Sequence, residues 1–309
     1  MVSDVWEERC DPVLEEYMIV IMAGTLAGTL TRMLLLRLDY RQYPGYPHGY
    51  ISHLSMGAIA SALGAVAVPA LMTKDYTAFT FLALAAQQFR EIRNIERQTL
   101  ENLEETRLEK RGKDYIEGIA RTFEARNYLV MATAFITSIA AVLAGIGAAV
   151  GMALLLMLFS RTFMTGQNIG DICEVIPAKI HFKGSLLCVN EIDIMSVGLP
   201  QMRQKIEREA LGVMIKPKDD DARATLHDMG QRMAIAHTAA LIMGSKKEVD
   251  IPEFTPLVRK NPDTGAAALY IMPIEKDMES LILAVKRTPV LESARARPLR
   301  TQAGRIAAD

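Results

Sequence analysis

Long apolar segments in the first half of the chain constrain its fold most. Tyr17–Leu38 and Ile51–Met72 are each 22 residues long. At about 1.5 Å per residue, a helix of either segment is about 33 Å long, enough to cross a hydrocarbon core of about 30 Å. Residues 161–309 have the mixed composition of an ordinary globular protein. The sequence therefore predicts a helical membrane domain followed by a soluble one.

Two further apolar stretches complete the predicted membrane domain, residues 17–160. Residues 76–89 are too short to cross alone and do so only if their helix continues through Ile92. Residues 127–160 are too long for a single crossing. A hairpin that turns at Gly145–Gly147 gives two short crossings there, and one long, bent helix is the alternative. The hairpin brings the predicted number of spans to about five.

Basic residues set the predicted orientation. Arg37 and Arg41 lie between the first and second spans, nine lysines and arginines lie within residues 90–126, and only Lys74 lies in the turn between the second and third spans. Cytoplasmic loops carry the excess of positive charge. With five crossings, both basic loops and the C-terminal domain are cytoplasmic, and the acidic N-terminus, residues 1–16, is outside the cell membrane.

Small and polar residues within the spans have two interpretations each. Gly24 and Gly28, like Gly147 and Gly151, are four residues apart, a spacing that permits close helix packing within or between subunits. Serine and threonine hydroxyls in the spans could line a pore or bond to carbonyls of their own helix. Arg32 is predicted to be an interfacial anchor that reaches the headgroups, with a pore or substrate residue as the alternative.

The two cytoplasmic loops contain the candidate binding residues. The first loop is rich in tyrosines, which suit the headgroup layer, and its prolines and glycines predict a fixed turn without helix. It is either a structural interfacial loop or a binding site for a lipid or partner. The second loop is predicted to be a solvated helix that breaks at Gly112. The candidate lipid- or partner-binding residues are Tyr40, Arg41, Tyr43, Tyr46, His48, Tyr115 and Glu117.

The soluble region, residues 161–293, has patterns of both strands and helices. Alternating apolar residues predict a β-hairpin around Gly184–Ser185. Asp219–Asp221 begins one long helix that ends at Gly244, and a last helix covers Met278–Val285. These elements predict a small α+β domain with a sheet covered on one face. The basic tail, residues 294–309, is predicted to be disordered.

Catalytic and metal-binding motifs are missing from the sequence. The three cysteines lack CxxC spacing, and the histidines lack acids at metal-ligand spacing. The net charge of −1 gives no reason to expect a nucleic-acid partner. We therefore predict no enzyme activity, no cofactor and no metal. The residues concerned are Cys10, Cys173 and Cys188, and His181, His227 and His237.

The segment YIEGIA at Tyr115–Ala120 resembles the signature of the YIEGIA family of membrane proteins. Four other stretches are similar to the family's pattern: 39–50 (DYRQYPGYPHGY), 168–175 (NIGDICEV), 230–237 (GQRMAIAH) and 288–294 (TPVLESA). The resemblance implies a multi-spanning protein of endospore-forming bacteria that is associated with spore formation. It also implies a small partner protein known as a capping subunit, and it implies no catalytic residues.

The leading functional hypothesis is a structural or assembly protein of the cell membrane that forms homo-oligomers or recruits a partner through its cytoplasmic domain. The main alternative is a channel or transporter for small solutes or ions. A third hypothesis is a lipid-modifying enzyme that uses Arg41, His48 and Glu117.

Overall fold

The computed structural model describes residues 12–39, 41, 47–105, 107, 109–162, 166–246 and 255–295. These residues form two compact units. The first contains the described residues of 1–96 and 120–165, and the second contains those of 97–119 and 166–309. Residues 97–119 thus belong to the same unit as the C-terminal region, although the sequence analysis groups them with the membrane domain.

The described residues of the N-terminal part form five helices. They are α1 (Pro12–Asp39), α2 (Pro47–Met72), α3 (Tyr76–Gln87), α4 (Phe89–Glu105) and α5 (Lys113–Thr162). Gln88 keeps helical dihedral angles, φ −62° and ψ −17°, so α3 is followed by α4 with only a local irregularity. A second helix, α4, therefore carries the chain past Ile92, and the predicted third span is not among the membrane-capable helices of the described residues. The helix restarts after Gly112, which has a φ of 86°, as predicted, but the preceding helix α4 already ends at Glu105.

Three helical segments are long and apolar enough to cross a membrane: Tyr17–Arg37, Gly49–Met72 and Lys113–Arg161. The first two agree with the first two predicted spans. The third leaves helical geometry only at Gly145, with φ 80° and ψ 177°, where the sequence places the turn of a hairpin. The described residues therefore contain three membrane-capable helices, and five crossings are not established.

The polar loop between the first two spans is shorter than predicted. The sequence analysis excluded helix throughout residues 39–50, but Asp39 ends α1 and residues 47–50 already belong to α2. This part of the prediction is wrong. Proline is favoured in the first helical turn, where its missing N–H would have no partner, so Pro47 begins the helix rather than preventing it.

The two glycine pairs differ in their surroundings. A Cβ atom added at Gly24 would meet the Ser138 hydroxyl and lie 2.8 Å from the Ala134 carbonyl oxygen, and one added at Gly28 would lie 2.8 Å from the Val130 carbonyl oxygen. A Cβ atom at Gly147 or Gly151 would meet nothing within 4 Å. Gly24 and Gly28 therefore allow close helix packing within the chain. For Gly147 and Gly151, packing against another copy stays a prediction.

We expect Gly24→Ala to destabilise the protein and Gly147→Ala, the matched control, to be tolerated. Overpacking costs about 1–3 kcal/mol, whereas alanine in an open helical position gains about 0.5–1 kcal/mol over glycine. Thermal unfolding of the detergent-solubilised protein, followed by fluorescence-detected size exclusion, measures the melting temperature of each variant. Equal melting temperatures for the two variants would contradict the packing at Gly24.

The second unit contains two antiparallel sheets. The strands are β1 (Cys173–Ala178), β2 (Ile180–Lys183), β3 (Leu186–Val189), β4 (Ile192–Ser196), β5 (Leu211–Pro217), β6 (Leu257–Lys260) and β7 (Ala267–Ile271). The larger sheet has the order β1-β5-β7-β6, and the smaller has the order β2-β3-β4. The hairpin around Gly184–Ser185 is confirmed by the β2–β3 pairing. The helices are α6 (Ile169–Ile172), α7 (Pro200–Glu209), α8 (Asp220–His227), α9 (Met229–Met243) and α10 (Met278–Arg287).

The larger sheet is covered on both faces. Val213 and Ile215 of β5 pack with α8, α9 and α10 in one core cluster. Met214, between them, packs on the opposite face with β3, β4 and α7 in a second cluster. Because alternate residues of a strand face opposite sides, both faces of β5 are buried. The α+β architecture agrees with the prediction, and the prediction of a sheet covered on one face is wrong.

The predicted helix from Asp219–Asp221 to Gly244 is two helices. Asp228, with φ −65° and ψ 130°, ends α8 and caps α9 by accepting a hydrogen bond from the Gln231 amide at 2.8 Å. An aspartate in this position satisfies an amide that the first helical turn leaves unpaired. The break at Asp228 gives α9 a separate start, and Gly244 ends it as predicted.

Candidate functional site

Three segments of the second unit meet at one place, the motif junction, which comprises residues 113–119, 229–237 and 288–294. A Cβ atom added at Gly230 would lie 2.7 Å from the Asp114 carbonyl oxygen, and one added at Gly118 would lie 2.5 Å from the Ser293 hydroxyl. Only glycine fits such close approaches without a shift of neighbouring atoms. Each segment overlaps a stretch that resembles the YIEGIA family.

Gln231 connects α9 with the C-terminal segment of this junction. Its side chain is fully buried. Its Nε2 donates to the Pro289 carbonyl oxygen at 3.1 Å, and its Oε1 accepts from the Leu291 amide at 2.7 Å. The neighbouring Ile169 amide donates to the Thr288 carbonyl oxygen at 2.9 Å. The fourth family-like stretch of the unit, residues 168–175, therefore joins the same junction.

Tyr115 lies inside the second unit. Only 4% of its surface is exposed, and its ring centroid is 6.1 Å from that of His237. The Arg111 guanidinium carbon is 5.9 Å from the centroid of the Tyr115 ring. Glu117 is partly exposed, with Oε2 3.9 Å from Nε of Arg97. Binding of a lipid or partner by Tyr115 and Glu117 stays a prediction.

A cavity of about 400 Å³ lies beside the motif junction. The loop before α5 forms one wall, α9 forms a second, and the start of β6 forms a third. This volume is within the range of small-molecule pockets, about 300–1,000 Å³. The described residues that line it are Glu109 to Gly112, Met229, Arg232, Met233, Ala236, His237, Ala240 and Thr255 to Arg259.

His237 is the most buried titratable residue in the cavity wall, with 7% of its surface exposed. Burial lowers the pKa of its imidazole to about 4, and the nearby charge of Arg111 acts in the same direction. His237 is therefore neutral at pH 7, since its pKa lies well below that pH. The positive charge of the cavity wall comes from its lysine and arginines instead.

The first unit contains a buried ionic cluster of Arg32, Asp39, His53 and Arg126. Arg32 Nη1 and Arg126 Nε each lie 2.8 Å from a different carboxylate oxygen of Asp39. Arg32 Nη2 lies 3.0 Å from His53 Nδ1. Burial alone would raise the pKa of Asp39, but a hydrogen bond with His53 and the charges of Arg126 and Arg32 hold it below its ordinary value.

The cluster changes the interpretation of Arg32. The arginine is fully buried and bound to Asp39, and its guanidinium carbon lies 5.7 Å from the ring centroid of Phe123. A charge buried within a membrane-capable helix needs such partners. Arg32 is therefore part of a helix-packing cluster, and the prediction that its side chain extends to the headgroups is wrong.

Glu96 lies beside this cluster, with its Oε1 3.9 Å from His53 Nε2. Burial raises the pKa of Glu96 to about 7.

The candidate residues of the first loop are only partly described. Tyr40, Tyr43 and Tyr46 lie outside the described residues, as does the side chain of His48, whose backbone belongs to α2. Arg41 is exposed. A shared lipid or partner site in this loop therefore stays a prediction.

Sequence reasoning missed several residues that the structure brings together. Asp39, His53 and Arg126 were not selected, although an arginine inside an apolar span signals that a buried acid is needed. Asp39 follows Arg32 by seven residues, two helical turns, and so lies on the same face of α1. Gln231 was also missed, although a glutamine on an apolar helix face signals a specific hydrogen-bond partner.

The described cysteines and acids show no metal site. Among the residues that the structure describes, no group of three His, Cys, Asp or Glu residues could hold a metal ion. Cys173 and Cys188 are free and buried, and burial raises the pKa of the Cys173 thiol to about 12. A thiol with this pKa stays protonated and unreactive at neutral pH.

Comparisons with known proteins agree with the resemblance seen in the sequence. The YIEGIA protein family matches residues 20–301. The chain is 39% identical to YphB of Bacillus subtilis, a protein described as uncharacterized, over 91% of this chain and 95% of that protein. No solved structure gives a significant match. Neither sequence match indicates a catalytic role. With a family match over most of its length and a relative of this identity, the chain belongs to the YIEGIA family of membrane proteins of endospore-forming bacteria.

Proposed function

We propose that the protein is a non-enzymatic component of the cell membrane that serves a structural or assembly role in endospore formation. In this proposal, its second unit contacts further copies of the chain or a small capping-type partner protein. The family membership supports the link to endospore-forming bacteria.

An exposed apolar patch in the second unit supports this proposal most directly. Leu241 and Ile242 at the end of α9 are 64% and 55% exposed, and Ile274 in the following loop is 65% exposed. Ile274 lies against Gly244, which ends α9, so the three side chains belong to one region. Contiguous exposed aliphatic side chains mark protein interaction surfaces in soluble regions. The patch fits a protein partner better than a catalytic role.

Hydrogen bonds within the first unit favour packed helices over a water-filled path. The hydroxyls of Thr31, Ser61 and Thr133 donate to carbonyls of the preceding helical turn at 2.8, 2.7 and 2.9 Å. The Ser138 hydroxyl bonds across helices to the Val20 carbonyl oxygen at 3.3 Å. Hydroxyls that are occupied in this way contribute little to a polar pore lining. This supports a structural membrane unit.

The proposed topology has five spans, an outer N-terminus and a cytoplasmic C-terminal domain. It rests on the basic loops, since positive charge marks cytoplasmic segments. Cys10 provides a test, because Cys173 and Cys188 are buried. In intact cells, a membrane-impermeant maleimide should label the natural protein but not its Cys10→Ser variant. Labelling that requires lysis would contradict an outer N-terminus.

We expect the double variant Leu241→Lys and Ile242→Lys to lose a partner or oligomer that co-purifies with the natural protein. Two charges would be buried without partners in the complex, which costs several kcal/mol. Leu199→Lys, which places a lysine at another 63% exposed leucine, is the control. Native mass spectrometry after mild solubilisation measures the assembly, and counts of heat-resistant spores measure the function. A natural protein that purifies as a monomer without a partner would overturn the proposal.

A channel is the second candidate, and Asn127 and Thr137 favour it. Both are buried in the first unit, and neither the Asn127 amide nor the Thr137 hydroxyl has a hydrogen-bond partner among the described residues. Unpaired buried polar groups are costly unless water reaches them. If the natural protein conducts ions across liposomes and Asn127→Leu lowers this conductance, the result would support a channel. If the natural protein gives no conductance, the result would exclude it.

A further inference from the structure

The cavity beside the motif junction combines an apolar wall with positive charge at its rim. Its apolar lining comes from two methionines, two alanines and the first residues of β6. Methionine side chains are flexible and polarizable, so they adapt to ligands of different shape. With a volume of about 400 Å³, the cavity is large enough for a small molecule but too small for a folded segment.

The charges along the lining are unbalanced. Among the described residues of the lining, four are cationic and one, Glu109, is acidic. Glu109 accepts a hydrogen bond from the Ser245 hydroxyl, and Arg111 is paired with Glu104. The remaining cations are Lys110, Arg232 and Arg259. The lining therefore attracts negatively charged ligands.

Arg232 and Arg259 contribute most of the unbalanced positive charge in the lining. Within the described chain, no carboxylate lies within ion-pair distance of either guanidinium. Burial lowers the pKa of Arg232, and the positive charge of Arg259 lowers it further. The negative charges of Asp228 and Asp114 act in the opposite direction, but the pKa stays below its ordinary value. Two like charges close together repel each other, and a bound anion would weaken that repulsion.

We propose that this cavity binds a small anion with an apolar body, its carboxylate or phosphate held by Arg232 and Arg259 and its apolar part against Met229 and Met233. Guanidinium groups match the planar carboxylate and the phosphate with paired hydrogen bonds. Neutral His237 adds no charge to the wall, so the arginines set the selectivity. The proposal is independent of any structural role of the membrane unit.

Calorimetric titration of the full-length protein in lipid nanodiscs tests this proposal, with empty nanodiscs as the blank. The probes are hexanoate, hexyl phosphate, hexylammonium and 1-hexanol, which share an apolar chain and differ in their charge. We expect saturable binding of hexanoate or hexyl phosphate, and binding of hexylammonium and 1-hexanol at least tenfold weaker. Equal binding of all four probes, or binding of none, would overturn the proposal.

Variants assign the binding to the cavity. Arg259→Gln changes an exposed side chain and should weaken anion binding at least tenfold, as should Arg232→Gln. Lys179→Gln removes an exposed cation from another part of the unit and should leave binding unchanged. Unaltered affinity in both arginine variants would reject the cavity as the site. Added phosphatidic acid in the nanodiscs distinguishes the source, since competition indicates a lipid headgroup and its absence a soluble anion.

Discussion

Asp39→Asn is expected to destabilise the first unit more than any other single substitution in it. The carboxylate lies 2.8 Å from Arg32 Nη1 and 2.8 Å from Arg126 Nε, and all three residues are buried. An asparagine removes the negative charge that both buried guanidinium groups contact. Breaking a buried ion pair by removing one partner costs about 3–5 kcal/mol. The melting temperature of the detergent-solubilised protein should therefore fall sharply.

Asp75→Asn makes the same chemical change at an exposed position and provides the control. Asp75 caps α3 by accepting a hydrogen bond from the Ala78 amide at 2.9 Å. Asparagine caps helices about as well as aspartate, so the control should change stability by less than about 0.5 kcal/mol. A melting temperature for Asp39→Asn within error of that of Asp75→Asn would show that the cluster does not hold the helices together.

The buried cluster shows what local patterns predict and what they omit. Hydropathy alone locates α1 and α2, because apolar length is a property of neighbouring residues. The pairing of Arg32 with Arg126 through Asp39 depends on packing between helices far apart in the sequence. The sequence predicts Arg32 to be an interfacial anchor, and its partners become visible only in the folded chain. The ionic cluster was therefore missed, although the spans that carry it were predicted.

The second unit shows the same division between local and distant information. Alternation and turn residues predict β2, β3 and the end of α9 at Gly244 correctly. Strand β1 was missed, although Cys173 and Val175 are buried with an exposed residue between them. The capping signal of Asp228 was also overlooked, because the apolar stripe runs through both α8 and α9. The cavity could not be predicted at all, since its three walls lie at distant positions in the chain.

The motif junction depends on Gln231, and Gln231→Ala is expected to loosen it. The amide accepts from the Leu291 N–H at 2.7 Å and donates to the Pro289 carbonyl oxygen at 3.1 Å, in a fully buried position. Alanine removes the acceptor of the Leu291 N–H and the side-chain donor to the Pro289 carbonyl oxygen. Each unsatisfied group costs about 1–3 kcal/mol, so the variant should lose about 2–6 kcal/mol of stability.

Hydrogen exchange separates loss of this connection from general unfolding. In Gln231→Ala, exchange of the Leu291 amide should accelerate far more than that of Val213 in the core of the larger sheet, because only Leu291 loses its hydrogen-bond acceptor. Gln201→Ala, at an exposed position in α7, should leave both rates unchanged. If Leu291 in the Gln231→Ala protein exchanges at the natural rate, the C-terminal segment is held by other contacts, and Gln231 does not join the stretches of the motif junction.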